Sequence, residues 1–154
     1  MRVIVVAVVA IAILAAAGWL LWPRAESSAG DDPRRVALGE SVYRQHCASC
    51  HGANLKGQPS WMSRKPDGRL PAPPHDETGH TWHHADAQLF EITKHGMKPP
   101  LAPEGYQSDM PAFEAQLSDE QIRAVLAYIK SRWPADIRER QRRNDAAYRQ
   151  SRER

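Results

Sequence analysis

Cys47-Ala48-Ser49-Cys50-His51 is the stretch that decides how this chain folds and what it can bind. Two thiols separated by two residues and followed at once by a histidine form a pattern to which haem is attached covalently. Each thiol can add to one vinyl group of the haem, and the adjacent imidazole then supplies one axial nitrogen to the iron. The motif therefore predicts one covalent haem c, held by Cys47, Cys50 and His51.

Two other uses of a Cys-x-x-Cys pair stay open from the residues alone. A thioredoxin-like redox dithiol lies beside a βαβ pattern, whereas proline, glycine and polar residues follow this pair. The chain has 2 cysteines, which excludes a zinc site of three or four thiolates. A zinc site of two thiolates and two imidazoles would need distant histidines, so the adjacent histidine favours haem.

The first 22 residues differ from the rest of the chain. Residues 3–22 carry no charged or strongly polar side chain, and as a helix they would span about 30 Å, the thickness of a hydrocarbon core. Trp19 and Trp22 stand at the far end of this run, and Arg2 precedes it. These flanks predict a single-pass helix in the cytoplasmic membrane, with the amino terminus in the cytoplasm and the haem domain on the periplasmic side.

A cleaved signal peptide is the alternative interpretation of residues 1–22. Ala15-Ala16-Ala17 before Gly18 fits the small-residue cleavage pattern. Cleavage there would leave a soluble periplasmic protein, so both interpretations export the haem motif. Residues 23–35 are mostly small and polar, with Pro23 at their start, which indicates a linker.

Three helices are predicted between residues 33 and 134. Asp32-Pro33 is a helix start, and the apolar positions from Val36 to His46 form one face that runs into the haem motif. Gly39 lies in the middle of this helix, where a close contact with another helix would explain it and a merely tolerated glycine is the alternative. A second helix is predicted over residues 86–95, capped by Asp86. The third follows Ser118 and continues to Pro134.

Residues 52–81 contain many prolines and glycines, which disfavour a long helix or a central strand. A loop of this length in a compact domain is usually functional. The composition therefore predicts a long loop that wraps the haem.

The segment Met110-Pro111-Ala112-Phe113 precedes the third helix. Together with the Cys-x-x-Cys-His motif and a terminal amphipathic helix, it resembles the sixth-ligand segment of class I cytochromes c. The resemblance covers about residues 36–134 and implies a small all-α cytochrome c fold of three main helices with long loops around one haem. It also implies that Met110 is the second axial ligand of the iron. Met62 and Met97 are the competing sulfur ligands, and core packing is the ordinary role of methionine.

Four histidines, His75, His80, His83 and His84, fall within ten residues and surround Trp82. Such density could bind copper or zinc, or could supply a second axial imidazole. The favoured interpretation is that these histidines are loop and helix-entry residues near the edge of the haem. The indole N–H of Trp82 is expected to donate to a haem propionate, as a comparable tryptophan does in some class I cytochromes. The second nitrogen of His51 is expected to donate to a loop carbonyl, with Pro73 and Pro74 as candidates.

The whole formal excess of +3 lies in residues 135–154, which hold seven arginines and four acids. This tail is predicted to be a helix with too little apolar surface to pack well. Docking onto an acidic partner or lipid headgroups is the alternative. Nucleic acid is not an expected partner outside the cytoplasm.

The resemblance implies electron transfer between a redox donor and a redox acceptor, with no small-molecule substrate and no enzymatic activity. Axial ligands from histidine and methionine would close both faces of the iron, as an electron carrier requires. A haem-bearing subunit of a larger oxidase or dehydrogenase is the alternative function. A haem enzyme or gas sensor would need an exchangeable iron position, which Met110 would deny.

Overall fold

The computed structural model describes residues 32–154, and this part of the chain is helical, with no strand. Its elements are α1 (Pro33–His46), α2 (Ala48–His51), a 3₁₀ turn (Thr81–His83), α3 (Asp86–His95), α4 (Asp119–Ser131) and α5 (Ala135–Arg152). None of the helices in this range is long and apolar enough to span a bilayer. The predicted membrane helix, residues 1–22, lies outside the described residues, as does most of the linker.

Helix α1 begins and ends as its sequence predicts. The Asp32 carboxylate accepts a hydrogen bond from the Arg34 amide at 3.0 Å, and Pro33 occupies the first helical position. The helix ends at His46, where the Cys47 amide still donates to the Tyr43 carbonyl. The haem motif therefore starts on the last turn of a well-capped helix.

The contact between α1 and α4 forms the centre of the fold. Gly39 lies directly against α4: a Cβ atom placed there would collide with the Ala124 carbonyl oxygen and would lie 2.8 Å from the Tyr128 Cβ. The predicted close helix–helix approach at Gly39 is thus confirmed. Tyr43, one turn further along α1, is fully buried and tilts its ring against that of Tyr128 at 5.4 Å between centroids.

Helix α4 supplies more residues to the apolar core than any other helix. The Ser118 hydroxyl accepts from the Gln121 amide at 3.2 Å, and the Gln121 side chain accepts from the Ser118 amide at 2.9 Å. This reciprocal pair of hydrogen bonds is a capping box, and it begins the helix at Ser118 as predicted. The buried core joins residues of α1, α3, α4, α5 and the loops: Val42, Tyr43, Leu55, Leu89, Phe113, Leu117, Ile122, Val125, Leu126, Tyr128, Ile129, Trp133 and Ile137.

The start of α3 differs from the prediction. The cap is Ala85, whose amide donates to the Gln88 side chain at 3.1 Å, and Asp86 is the first helical residue. The Asp86 carboxylate instead accepts from Lys130 of α4 at 2.6 Å and from Gln141 of α5 at 2.7 Å. The Asp86 side chain therefore connects α3, α4 and α5. Its hydrogen bonds to the other two helices take the place of the capping bond that was expected at the start of its own helix.

Helix α5 packs on the domain, so the prediction that the tail would not pack well was wrong. Ile137, Gln141 and Asp145 form a buried row at four-residue spacing. The packing is largely polar: Asp145 accepts from the Asp86 amide at 3.0 Å, and Asn144 donates to the Trp82 carbonyl at 3.3 Å. Hydropathy did not find this face because hydrogen bonds stabilise it more than apolar area does.

Substituting Gly39→Ala should lower the free energy of unfolding by about 2 kcal/mol, because overpacking at a backbone contact forces the helices apart. The gain in helix propensity, about 1 kcal/mol, will not offset it. Urea unfolding of the haem-loaded protein measures the effect. The matched control is Leu38→Ala at the preceding, exposed position of α1, which should change little. An unchanged midpoint for Gly39→Ala would contradict the close contact.

Asp145→Ala should destabilise the protein by about 1–3 kcal/mol, because it leaves the Asp86 amide without its acceptor in a part-buried setting. Glu139→Ala is the control on the same helix, since Glu139 pairs with Arg142 and Arg143 on the exposed face. Thermal unfolding should distinguish the two variants. Equal midpoints would mean that α5 is not held by its buried polar row.

Candidate haem site

The motif forms a single helical turn at the end of α1. The amides of Cys50 and His51 both donate to the Cys47 carbonyl, at 3.1 and 2.9 Å. Residues three apart on a helical turn lie on the same face, so the two sulfurs are presented to one side. Gly52 ends the turn with φ +79°, a conformation that favours glycine. The local fold therefore presents both thiols and the following imidazole together.

Both cysteines are free thiols in this structure, and their surroundings differ. Cys47 is half-buried and packs against the apolar core, whereas Cys50 is exposed. Burial, and secondarily the neighbouring Cys50, raises the pKa of the Cys47 thiol to about 11. A catalytic dithiol needs a thiol with a lowered pKa. The environment of Cys47 thus disfavours the redox-dithiol interpretation of the pair.

The imidazole of His51 is buried and oriented. Its Nδ1 lies 2.9 Å from the Pro73 carbonyl oxygen, and because a carbonyl only accepts, Nδ1 carries the proton. Nε2 is then the unprotonated nitrogen, as metal ligation requires. Burial lowers the pKa of His51, while the bond to Pro73 acts in the opposite direction. Of the two carbonyls that the sequence left open, the structure selects Pro73.

The backbone around His51 is held by the loop and by α1. The Tyr43 hydroxyl donates to the Gly52 carbonyl at 3.0 Å, and the Gly57 amide donates to the His51 carbonyl at 2.8 Å. Gly57 has φ +65°, and a Cβ there would lie 2.5 Å from the Pro74 nitrogen. Glycine at 57 therefore lets the 52–57 turn approach the segment that bears Pro73.

The three candidate methionines occupy different surroundings. Met62 is 77% exposed. Met97 is half-buried and is not among the residues packed against the core. Met110 is half-buried and packs against the same core as Cys47, while its amide donates to the Ser108 hydroxyl at 3.1 Å. Packing thus favours Met110 over the other two as the sulfur that shares a core with the motif.

The Met110 segment is fastened on both sides. The amides of Phe113 and Glu114 donate to the carbonyls of Thr93 and Lys94 at the end of α3. On the other side, the Asp109 carboxylate accepts from Lys65 at 2.5 Å and from Arg69 at 2.7 Å. These two bonds tie the long loop to the residue next to Met110. The adjacent cations hold the pKa of Asp109 below its ordinary value, chiefly through the Lys65 hydrogen bond.

The buried Nε atom of Arg69 bears on whether these residues suit a haem. Its Nε is a buried donor without a hydrogen-bond partner among residues 32–154, although its terminal nitrogen binds Asp109. A buried donor of this kind requires an acceptor, and haem carries carboxylate groups that can accept from it. Together with two free thiols on one turn and an imidazole with Nε2 unprotonated, this donor set fits the group that the motif implies.

The histidine cluster does not form a metal site of three ligands. Among residues 32–154 no three histidine, cysteine or acidic side chains are placed to hold an ion. His80 stacks on Trp61 at 5.4 Å and meets His84 edge-on at 5.5 Å, and His83 stacks on Trp82 at 3.6 Å. These rings form aromatic pairs instead.

The structure disfavours the role predicted for Trp82. Its indole N–H donates to the Glu77 carbonyl at 3.3 Å, so this donor already has an acceptor within the loop. The side chain packs against the core, and Arg140 of α5 lies 5.9 Å above its ring. The orphaned donor in the described part of the chain is Arg69, which no sequence pattern distinguished from the other loop cations.

Residues 36–133 match the cytochrome c family. The chain belongs to this family. The match contains the motif at 47–51, the Met110 segment and helices that form the core, and it excludes the N-terminal run and α5. Membership implies a covalent haem c and a function in electron transfer, as the class I resemblance led us to expect.

Several relatives of this cytochrome are named as oxidase subunits. It is 27% identical over 96 residues to the cbb3-type cytochrome c oxidase subunit FixP of Sinorhizobium medicae, a match that covers 62% of this chain and 29% of the relative. It is 29% identical over 98 residues to the CcoP subunit of Azospirillum sp., covering 64% and 29%. The chain thus matches less than a third of the length of these relatives. No solved structure gave a significant match.

Asp109→Asn should loosen the Met110 segment, because a neutral amide binds Lys65 and Arg69 less strongly than a carboxylate does. Hydrogen exchange of the haem-loaded cytochrome should show faster exchange of the Met110 amide, and added salt should shrink the difference between the variant and the wild type. Glu104→Gln removes an exposed carboxylate from the same loop and serves as the control. Identical exchange rates in the two variants would show that the ion pairs do not hold the loop.

Proposed function

We propose that this cytochrome carries single electrons between redox proteins through one haem c, with His51 and Met110 as axial ligands. The observation that carries the proposal is the state of His51: its Nδ1 proton is engaged by Pro73, and its Nε2 is unprotonated beside the two thiols. One Cys-x-x-Cys-His motif in the sequence supports one haem per chain.

Each residue of the site has a separate task in this proposal. Cys47 and Cys50 form the thioether bonds, so the group cannot dissociate. When bound, the haem iron supplies a one-electron couple, and a histidine–methionine pair raises its potential relative to two imidazoles. His51 is oriented by Pro73, and Met110 is held by the fastened loop. Ligands held in this way change little on oxidation, which suits rapid electron exchange.

We further propose that the cytochrome domain works at the periplasmic face of the cytoplasmic membrane. Residues 1–22 would tether it, because their apolar run is long enough to cross a bilayer. If the run is cleaved after Ala17, the same domain would be soluble in the periplasm. Tethering would confine the domain to the membrane surface, where it would meet membrane-bound donors and acceptors at a raised effective concentration.

A second candidate function is that of a subunit in a respiratory oxidase complex. The relatives named as cbb3-type oxidase subunits favour it, although the match spans only part of them. The haem chemistry would be the same, and the N-terminal run and α5 would serve assembly. Purification in mild detergent separates the candidates: a stoichiometric oxidase would support the subunit function, and a lone cytochrome would support the free carrier.

The absorption spectrum of the ferric full-length protein tests the ligand assignment. We expect the weak red-edge band of methionine sulfur on ferric iron, and we expect Met110→Ala to abolish it and to leave a high-spin or water-ligated iron. Met62→Ala, at an exposed position, is the matched control and should keep the band. If Met110→Ala retains both the band and the potential, another residue is the sixth ligand.

A further inference from the structure

A second histidine lies face to face with His51. The ring of His75 stacks on the ring of His51 with 4.0 Å between centroids and 23° between planes. Two imidazoles that bind opposite faces of one iron have the metal between them, so two rings stacked directly on each other cannot both be its axial ligands. His75 is therefore not the sixth ligand, although the sequence left an imidazole from this cluster open. The stacked ring needs a different role.

His75 is fixed by contacts from several parts of the fold. Its amide donates to the Leu55 carbonyl at 2.7 Å, and its carbonyl accepts from the Trp133 indole at 2.7 Å. Its ring Nδ1 lies 2.9 Å from the Thr81 hydroxyl. Backbone and ring are thus both held, and the ring is a rigid surface for whatever packs against it.

The stacked ring restrains a motion of His51 that the Pro73 bond leaves open. A single hydrogen bond at Nδ1 fixes the position of one ring atom, but combined rotations about the Cα–Cβ and Cβ–Cγ bonds can still tilt the imidazole plane. A flat ring held at 4.0 Å against one face opposes that tilt. Pro73 and His75 stand two residues apart, so one short segment supplies both restraints.

We propose that His75 is a positioning residue that sets the plane of the proximal imidazole. This inference rests on the proposed function, in which His51 Nε2 is the axial nitrogen. The orientation of an axial imidazole relative to the haem governs how the unpaired electron of the ferric form is distributed over the haem macrocycle. Outer partners of a metal ligand tune the metal in this way without touching it.

The substitutions that separate ring stacking from mere filling of space are His75→Leu and His75→Phe. Leucine fills the space but offers no flat face, whereas phenylalanine keeps a planar ring and loses the bond to Thr81. The readout is the paramagnetic proton spectrum of the ferric, haem-loaded full chain, in which the ring-methyl shifts report the imidazole plane. We expect a changed order and spread of these shifts in His75→Leu and a smaller change in His75→Phe, which keeps a flat face but loses the Thr81 bond.

His80→Leu is the control, because His80 is exposed and stacks on Trp61, away from His51. It should leave the methyl shifts unchanged. Thr81→Val keeps the His75 ring and removes the hydroxyl that contacts this ring at 2.9 Å and donates to the Pro74 carbonyl at 3.5 Å. It should therefore shift the methyl resonances in the same direction as His75→Leu but by less. Thr81→Val decides the matter if His75→Leu fails to fold.

Wild-type methyl shifts in both His75→Leu and Thr81→Val would overturn the proposal. Equal changes in His75→Leu and His75→Phe would also overturn it, since loss of the ring face would then not be the cause. Failure of the proposed function is visible separately, because the wild-type ferric spectrum would lack the methionine–iron band. If the wild type shows the methionine–iron band but the variants keep the wild-type methyl shifts, the positioning role alone is refuted.

Discussion

The hydrogen bond between His51 Nδ1 and the Pro73 carbonyl is the contact on which the site depends. It joins the end of the first helical segment to the long loop, and it decides which imidazole nitrogen is protonated. Much of the surrounding structure serves to bring these two atoms together. Gly57 permits the close approach of the loop, the Leu55 carbonyl holds the amide of His75 just beyond the prolines, and Trp133 holds its carbonyl.

The architecture could be read from the sequence where local rules decide it. The caps at Asp32 and Ser118 are sequence-local devices, and both are present as predicted. Gly39 also revealed its role, because a glycine in the middle of a helix costs about 1 kcal/mol and so points to a neighbour that leaves no room for a side chain. The motif at 47–51 could be identified without the three-dimensional structure, because the residues that bind haem are adjacent in the sequence.

The sequence could not supply contacts that depend on how distant segments meet. Asp86 was expected to cap its own helix, but Lys130 and Gln141 bind its carboxylate from two other helices. The face of α5 is polar, so a hydropathy pattern cannot find it. His75 was one of four clustered histidines, and only the three-dimensional arrangement separates it from the other three by placing it against His51.

The half-buried Cys47 has a consequence for the order of events in biogenesis. Packing against the core raises the pKa of this thiol to about 11, so in the folded chain it is protonated. A protonated thiol is a poor nucleophile, so attachment of the haem should be faster on a chain in which Cys47 has not yet packed against the core. Folding around Cys47 and attachment of the haem therefore compete in time.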